Sequence, residues 1–351
     1  MTPTMLRTGA GIVAFIVVVI IAMLALNFGT DLVAATTWAW VGVIALAVGM
    51  AAYALMEYSQ TKRFDSISGQ FDTRTIVLIP LAIALNIILG QAVGTALKVP
   101  IYLDSIGTIL VAVVAGPIPG ALTGLLANLL WTFVVPPPFH NDYLAAFAVV
   151  AAVVGLLAGG FARIGWMRPR PTADTSRLLI GGAVTVVIVL VLAWLAYLGW
   201  QAAFGLDLGV IPEADTTLIV LGVLAVAVVL ATIIGMALLL FWKRDLAVPY
   251  VVVAGLITGI VAALISAPIS ANVFGGVTAA GTDFLVAAFR QAGADIQAAT
   301  LGQGLISDPI DKVITFAVVY LILGAMATRT KARFPQGERL LAKRDVEETA
   351  P

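Results

Sequence analysis

The residues able to do chemistry in this chain are few, and most are carboxylates and amides set among apolar neighbours. Asp308-Pro309-Ile310-Asp311-Lys312 puts two carboxylates and an ammonium into five positions, and Asp104 leads into Ser105-Ile106-Gly107-Thr108. Asn86, Gln91 and Asn128 fall inside apolar runs, and Asn272 follows one. A polar side chain at membrane depth is expensive, so each is a candidate contact for a solute. The competing role is a hydrogen bond that fastens one helix to the next. Asp104 and Asp308 also stand where a helix should begin, so both read as N-caps. Pro309 would then be the first helical residue, with Asp311 in the first turn. A helix start facing a cavity would offer a ligand its positive dipole end as well.

Aromatic residues extend the set. Asn128 and Trp131 are three apart and share a helix face, an amide beside a flat plate that suits a ring-containing ligand. Trp131 is equally placed to anchor a helix at the membrane interface. Lys98 and Tyr102 flank Pro100; Lys98 either snorkels from a helix end or serves as counter-charge to a ligand or to Asp104. Phe274 and Asp283 belong to a glycine-rich stretch around Gly275-Gly276. His140, behind Pro136-Pro137-Pro138, reads as a solvated loop residue.

Several chemistries are excluded. The chain has no cysteine and one histidine, which removes thiol catalysis, thiolate metal sites and multi-histidine clusters. It carries no phosphate loop, no H-E-x-x-H and no G-x-S-x-G. The reading is therefore not an enzyme, with no cofactor expected. Movement of a solute would draw on an ion gradient or a separate ATPase. The basic clusters lie in short loops at helix ends, so no nucleic-acid partner is expected.

The elements that position these residues are helices in lipid. Of 351 residues, 61% are hydrophobic and 11% charged, with mean hydropathy +1.08. A soluble domain is about a quarter charged; here the bilayer must cover the apolar surface. Apolar runs long enough to span occur near 10–28, 35–56, 75–97, 143–162, 178–200, 217–242, 250–268 and 310–328. Two shorter runs, 106–115 and 121–135, flank Gly116-Pro117-Ile118-Pro119-Gly120, which reads as a reversal between short helices. The expectation is an all-α polytopic transmembrane bundle with about ten crossings. The first run, after Arg7, is slightly long for a secretory signal and reads as a retained helix.

With the N-terminus inside, sixteen of the nineteen basic residues fall on the cytoplasmic side, leaving Lys98, Arg290 and Lys312. Both termini are then cytoplasmic. The segment 269–308 becomes a long outer loop, lid-like or re-entrant, with a short helix near 283–292. Residues 329–351 form a short charged tail.

Two stretches resemble the substrate-binding (S) components of energy-coupling factor vitamin transporters. One runs from Val99-Pro100-Ile101-Tyr102-Leu103-Asp104 through Gly116-Pro117-Ile118-Pro119-Gly120 to Asn128. The other joins Ser266-Ala267-Pro268-Ile269, Phe274-Gly275-Gly276-Val277-Thr278, Asp283 and Asp308-Pro309-Ile310-Asp311-Lys312. Similar stretches also look like membrane sensor domains of histidine kinases. Membership would imply a core of about six helices within 75–328, opening outward to bind a vitamin-like solute. A membrane coupling subunit and cytoplasmic ATPases would be its partners, in the plasma membrane. Residues 1–58 and at least one helix within 178–242 are extra to that pattern. Two other functions stand beside this one: an ion-coupled secondary carrier, and a membrane sensor or scaffold.

Overall fold

The computed structural model describes residues 3–25, 32–92, 102–137, 140–205, 230–278 and 280–342. Helices dominate, and no strand occurs among the described residues. In chain order they are α1 (Pro3–Ala25), α2 (Leu32–Thr61), α3 (Asp65–Ser68), α4 (Thr73–Gly90), α5 (Ile106–Val114), α6 (Pro117–Phe133), α7 (Ala148–Arg163) and α8 (Thr175–Gly205). There follow α9 (Leu230–Trp242), α10 (Ala247–Phe274), α11 (Asp283–Gln291), α12 (Ile296–Ala325) and α13 (Thr328–Ala332).

Five segments are long and apolar enough to cross a membrane: Trp40–Thr61, Thr73–Gly90, Leu144–Arg163, Thr175–Leu198 and Ala247–Phe274. Large apolar side chains stand outward along them, among them Leu55, Leu81, Ile88, Ile180 and Val187. An exposed girdle of this kind is stable only against hydrocarbon. The fold is an all-α membrane bundle. α5 spans nine residues, about 14 Å, well short of a bilayer core of about 30 Å. It is buried almost throughout, packed in the bundle beside α4, α6 and α7.

The basic segments gather at one end. Arg7 pairs with Glu57 at 3.3 Å, Arg74 donates to the Arg333 carbonyl, and Arg339 donates to the Arg163 carbonyl. Arg168 donates to the Leu341 carbonyl, and Arg244 to that of Thr172. Asp245 clamps this end from within, accepting from the Arg170 and Ala247 amides and from the Tyr320 hydroxyl at 2.6 Å. The stretch after α13 is more than a solvated tail. Leu340 and Leu341 are buried, and Gln336 donates to the carbonyl of Ala112 at the end of α5.

The largest departure from the sequence reading is α12. The expected outer loop 269–308 shrinks at both ends, because α10 continues to Phe274 and α12 starts at Ile296. Asp295 is the N-cap of α12, its side chain accepting from the Ala298 amide, so Asp308 is not a cap. Pro309 and Asp311 lie mid-helix rather than in a first turn. A buried proline of this kind loses one helical hydrogen bond, and in a membrane bundle neighbouring helices support the break. Here the support is α10: a Cβ on Gly259 would lie 2.4 Å from the Pro309 Cα, so the two backbones touch. Asp104 is not a side-chain cap of α5 either. The N-cap position is Ser105, without a capping side-chain bond, and Asp104 turns toward α12 instead.

Candidate functional site

A cavity of about 130 Å³ lies among α6, α7, α10 and α12. One water needs roughly 10–15 Å³ on this measure, so the space is ligand-sized rather than a packing fault. Each wall follows from helical periodicity. α10 contributes Ala262, Ser266 and Ser270, spaced four apart on one stripe. α12 contributes Gln303, Asp308 and Lys312; α6 contributes Asn128 and Trp131; Phe147 stands just before α7, and Val150 and Val154 lie within it. The segment Tyr102–Ser105 closes one side, and Asn141, Tyr143, Thr278 and Ala280 extend the lining into the loops beyond α6 and α10. Both loops lie at the end opposite the basic segments, since α6 and α10 start at the basic end.

The site is organised around a buried ammonium. Lys312 Nζ lies 2.5 Å from Asp311 Oδ2, 2.9 Å from Ser105 Oγ and 3.7 Å from Asp104 Oδ1. Asp311, fully buried, accepts from the Tyr102 and Leu103 amides at 3.0 and 2.7 Å. Leu103 has a φ of 51°, a left-handed conformation that a branched side chain rarely adopts. Asp311 is thus the anchor that holds this strained turn against α12. Tyr102 Oη meets Thr282 Oγ1 at 2.9 Å and accepts from Gln303 Nε2 at 3.3 Å, tying the wall to the α10–α11 loop. Asp308 receives only long contacts, from Ser266 Oγ at 3.3 Å and Ser307 Oγ at 3.4 Å.

Of the residues singled out in the sequence, Tyr102, Asp104, Asn128, Trp131 and Asp308 line the cavity together. Trp131 is 2% exposed. Gly90 explains how its ring is seated: a Cβ there would stand 2.6 Å from the ring and 2.8 Å from the Asp104 Cβ. Asn128 is 5% exposed, and its amide has no hydrogen-bond partner among the described residues. Buried polar groups are nearly always paired, so this amide stands out on the cavity wall.

The others stand elsewhere. Asn86 fastens helices, donating to Thr108 Oγ1 at 2.8 Å and accepting from the Gly107 amide at 2.7 Å. Gln91 follows α4 away from the lining, with its Oε1 buried and unbonded. Asn272 accepts from Gln297 Nε2. Phe274 backs the cavity, in ring contact with Tyr143 at 5.2 Å and Phe147 at 5.7 Å. Asp283 receives the Thr278 amide and hydroxyl, ordering the loop at the cavity mouth. Asp311 sits behind the wall. Lys98 lies outside the described residues. Lys312, conspicuous in the sequence beside Asp308 and Asp311, also lines the cavity, as do Gln303, Ser266 and Ser270, which sequence reasoning did not select. Gln303 was hidden because its segment reads as loop until Asp295 is recognised as a cap.

Beside the mouth, both ring nitrogens of His140 face acceptors. Nε2 lies 2.7 Å from Asp142 Oδ1, and Nδ1 lies 3.0 Å from the Val135 carbonyl. The Asp142 contact first, then the carbonyl, push the imidazole pKa above its usual 6.5. The charged tether is therefore complete below about pH 6.5 and is lost as pH rises through the raised folded value. An NMR titration should give a His140 midpoint above 6.5 that falls in Asp142→Asn. A midpoint at or below 6.5 in the parent protein contradicts the pairing.

No protein-family profile, curated protein or solved structure matches the chain.

Proposed function

We propose that the chain is the membrane-embedded substrate-binding subunit of an ATP-driven importer, capturing a small vitamin-like solute from the outer side. The observation that carries this reading is the Asn128 amide, without a partner among the described residues, on the wall of a ligand-sized cavity. The clustering of basic segments at one end supports a cytoplasmic location for that end, with both termini there. The cavity reaches the opposite loops and would receive solute from outside. On this reading the protein is a multi-pass plasma-membrane component of about ten membrane segments, α5 and α6 forming a short descending pair. A coupling subunit and cytoplasmic ATPases would supply the energy, since the chain has no phosphate loop of its own.

Native mass spectrometry of gently purified protein tests capture. A metabolite should be retained, and Asn128→Leu should weaken its retention about tenfold or more by deleting a polar contact and leaving an apolar wall. Equal retention in the variant, or an empty parent protein, removes the support. Co-purifying ATPases would support the importer. A second reading, an ion-coupled carrier, is favoured by the buried Asp308, Asp311 and Lys312 near the middle of α12. Uptake by the lone chain in proteoliposomes under a proton or sodium gradient would select it.

A further inference from the structure

Resting on the capture reading above, we propose that the cavity takes a small organic cation, a protonated amine or cationic heterocycle attached to an aromatic ring. Asp308 and Asp104 would hold its charge, and the aromatic wall its ring.

The balance of charge comes first. Three carboxylates, Asp104, Asp308 and Asp311, share this region with one ammonium, Lys312. Asp311 is consumed by Lys312 and by two backbone amides. An ammonium has three N–H donors. Those of Lys312 face Asp311, Ser105 and the more distant Asp104, so the lysine has nothing left for an anionic ligand. Asp308 makes no ion pair among the described residues, and its two hydroxyl contacts are long. A carboxylate this buried requires either a proton or a counter-cation. An anion placed in the cavity would meet Asp308 and Asp104 with no free positive group among the described residues, and like charges at close range repel strongly.

Shape decides between a bare ion and an organic one. The described residues hold no cluster of three or more ligating side chains suited to a metal ion. The space of about 130 Å³ far exceeds what an ion fills. Its walls are largely apolar, and Trp131, Tyr102, Tyr143 and Phe147 share the lining with the two carboxylates. Aromatic faces attract cations through the ring quadrupole, most strongly for tryptophan. Independently of the acids, the Asn128 amide and the Ser270 hydroxyl, both more than nine-tenths buried, line the cavity with no partner among the described residues. These neutral groups fit the polar edge of a ring rather than its charge.

The test uses the full-length protein in lipid nanodiscs and three probes of matched size: phenethylamine, 2-phenylethanol and phenylacetate. Binding is followed by calorimetry, and the metabolite retained on native purification is analysed for ring content and charge at pH 7. Phenethylamine should bind at least about thirtyfold more tightly than either other probe, and the retained metabolite should be an aromatic cation. Asp308→Asn, nearly isosteric, should abolish the preference while leaving 2-phenylethanol binding within about threefold, and Asp104→Asn should narrow it. Equal binding of the three probes, preference for phenylacetate, or retention of an anionic or neutral metabolite overturns the cation assignment and leaves capture standing. Binding of no probe together with an empty protein overturns capture, and this inference with it.

Discussion

Replacing Asp311 with alanine is expected to destabilise the protein by about 3–5 kcal/mol, the usual range for removing one member of a buried ion pair. The side chain is fully buried, and the substitution strands three donors at once: the Lys312 ammonium and the Tyr102 and Leu103 amides. Most of the penalty arises from the lysine, which would keep a full charge in the bundle with Asp104 only at 3.7 Å. The double variant Asp311→Ala/Lys312→Met should therefore be more stable than Asp311→Ala alone, although it carries more changes. The two positions couple because each charge is tolerable only beside the other. Unfolding midpoints in detergent for the two single variants and the double variant check the claim. If the double variant is the least stable, the pair is not what holds this region together.

The structural cause of that sensitivity was only half visible in the sequence. Asp308-Pro309-Ile310-Asp311-Lys312 is conspicuous, but proline after aspartate reads most simply as a helix start, and local rules alone place both acids as caps. What overrides them is tertiary: α10 presents Gly255 and Gly259 to the backbone of α12 at Val313 and Pro309, and the helix runs through. With the helix continuous, Gln303, Ser307 and Asp311 fall on one stripe and Asp308 with Lys312 on the next. The site then reads directly from α12. Asn128 with Trp131 was legible because i, i+3 spacing is local. The partnership of Asp311 with Tyr102 and Leu103 was not, since it joins residues two hundred positions apart through a strained turn. Asn86 shows the opposite limit. Its sequence signal equals that of Asn128, and only packing reveals that it fastens α4 to α5. Helix identity and the gathering of basic segments at one end were read from hydropathy and charge, because both depend on solvent rather than on neighbours.

The same α10–α12 contact should make Gly259→Ala strongly disruptive. The added carbon would lie 2.4 Å from the Pro309 Cα, 2.6 Å from its nitrogen and 2.7 Å from the Asp308 carbonyl oxygen. All three are backbone atoms, so no side chain can swing away and the helices must separate. Overpacking of this kind costs about 3 kcal/mol or more where the backbone has to move. Glycine to alanine in an unconstrained helix normally gains up to about 1 kcal/mol, and Gly160 on α7, with open space around its Cα, is the matched control. Gly160→Ala should be neutral or slightly stabilising, and Gly259→Ala strongly destabilising in the same unfolding assay. The effect also reaches the site. Asp308 faces Ser266 across this contact, so separating the helices by even part of an ångström breaks an already long hydrogen bond of 3.3 Å and loosens the wall that Lys312 and Asp308 share. Any Gly259→Ala protein that folds should therefore retain less solute than the parent at equal concentration. Unchanged stability and unchanged retention together would mean that α10 and α12 are not held in the register described.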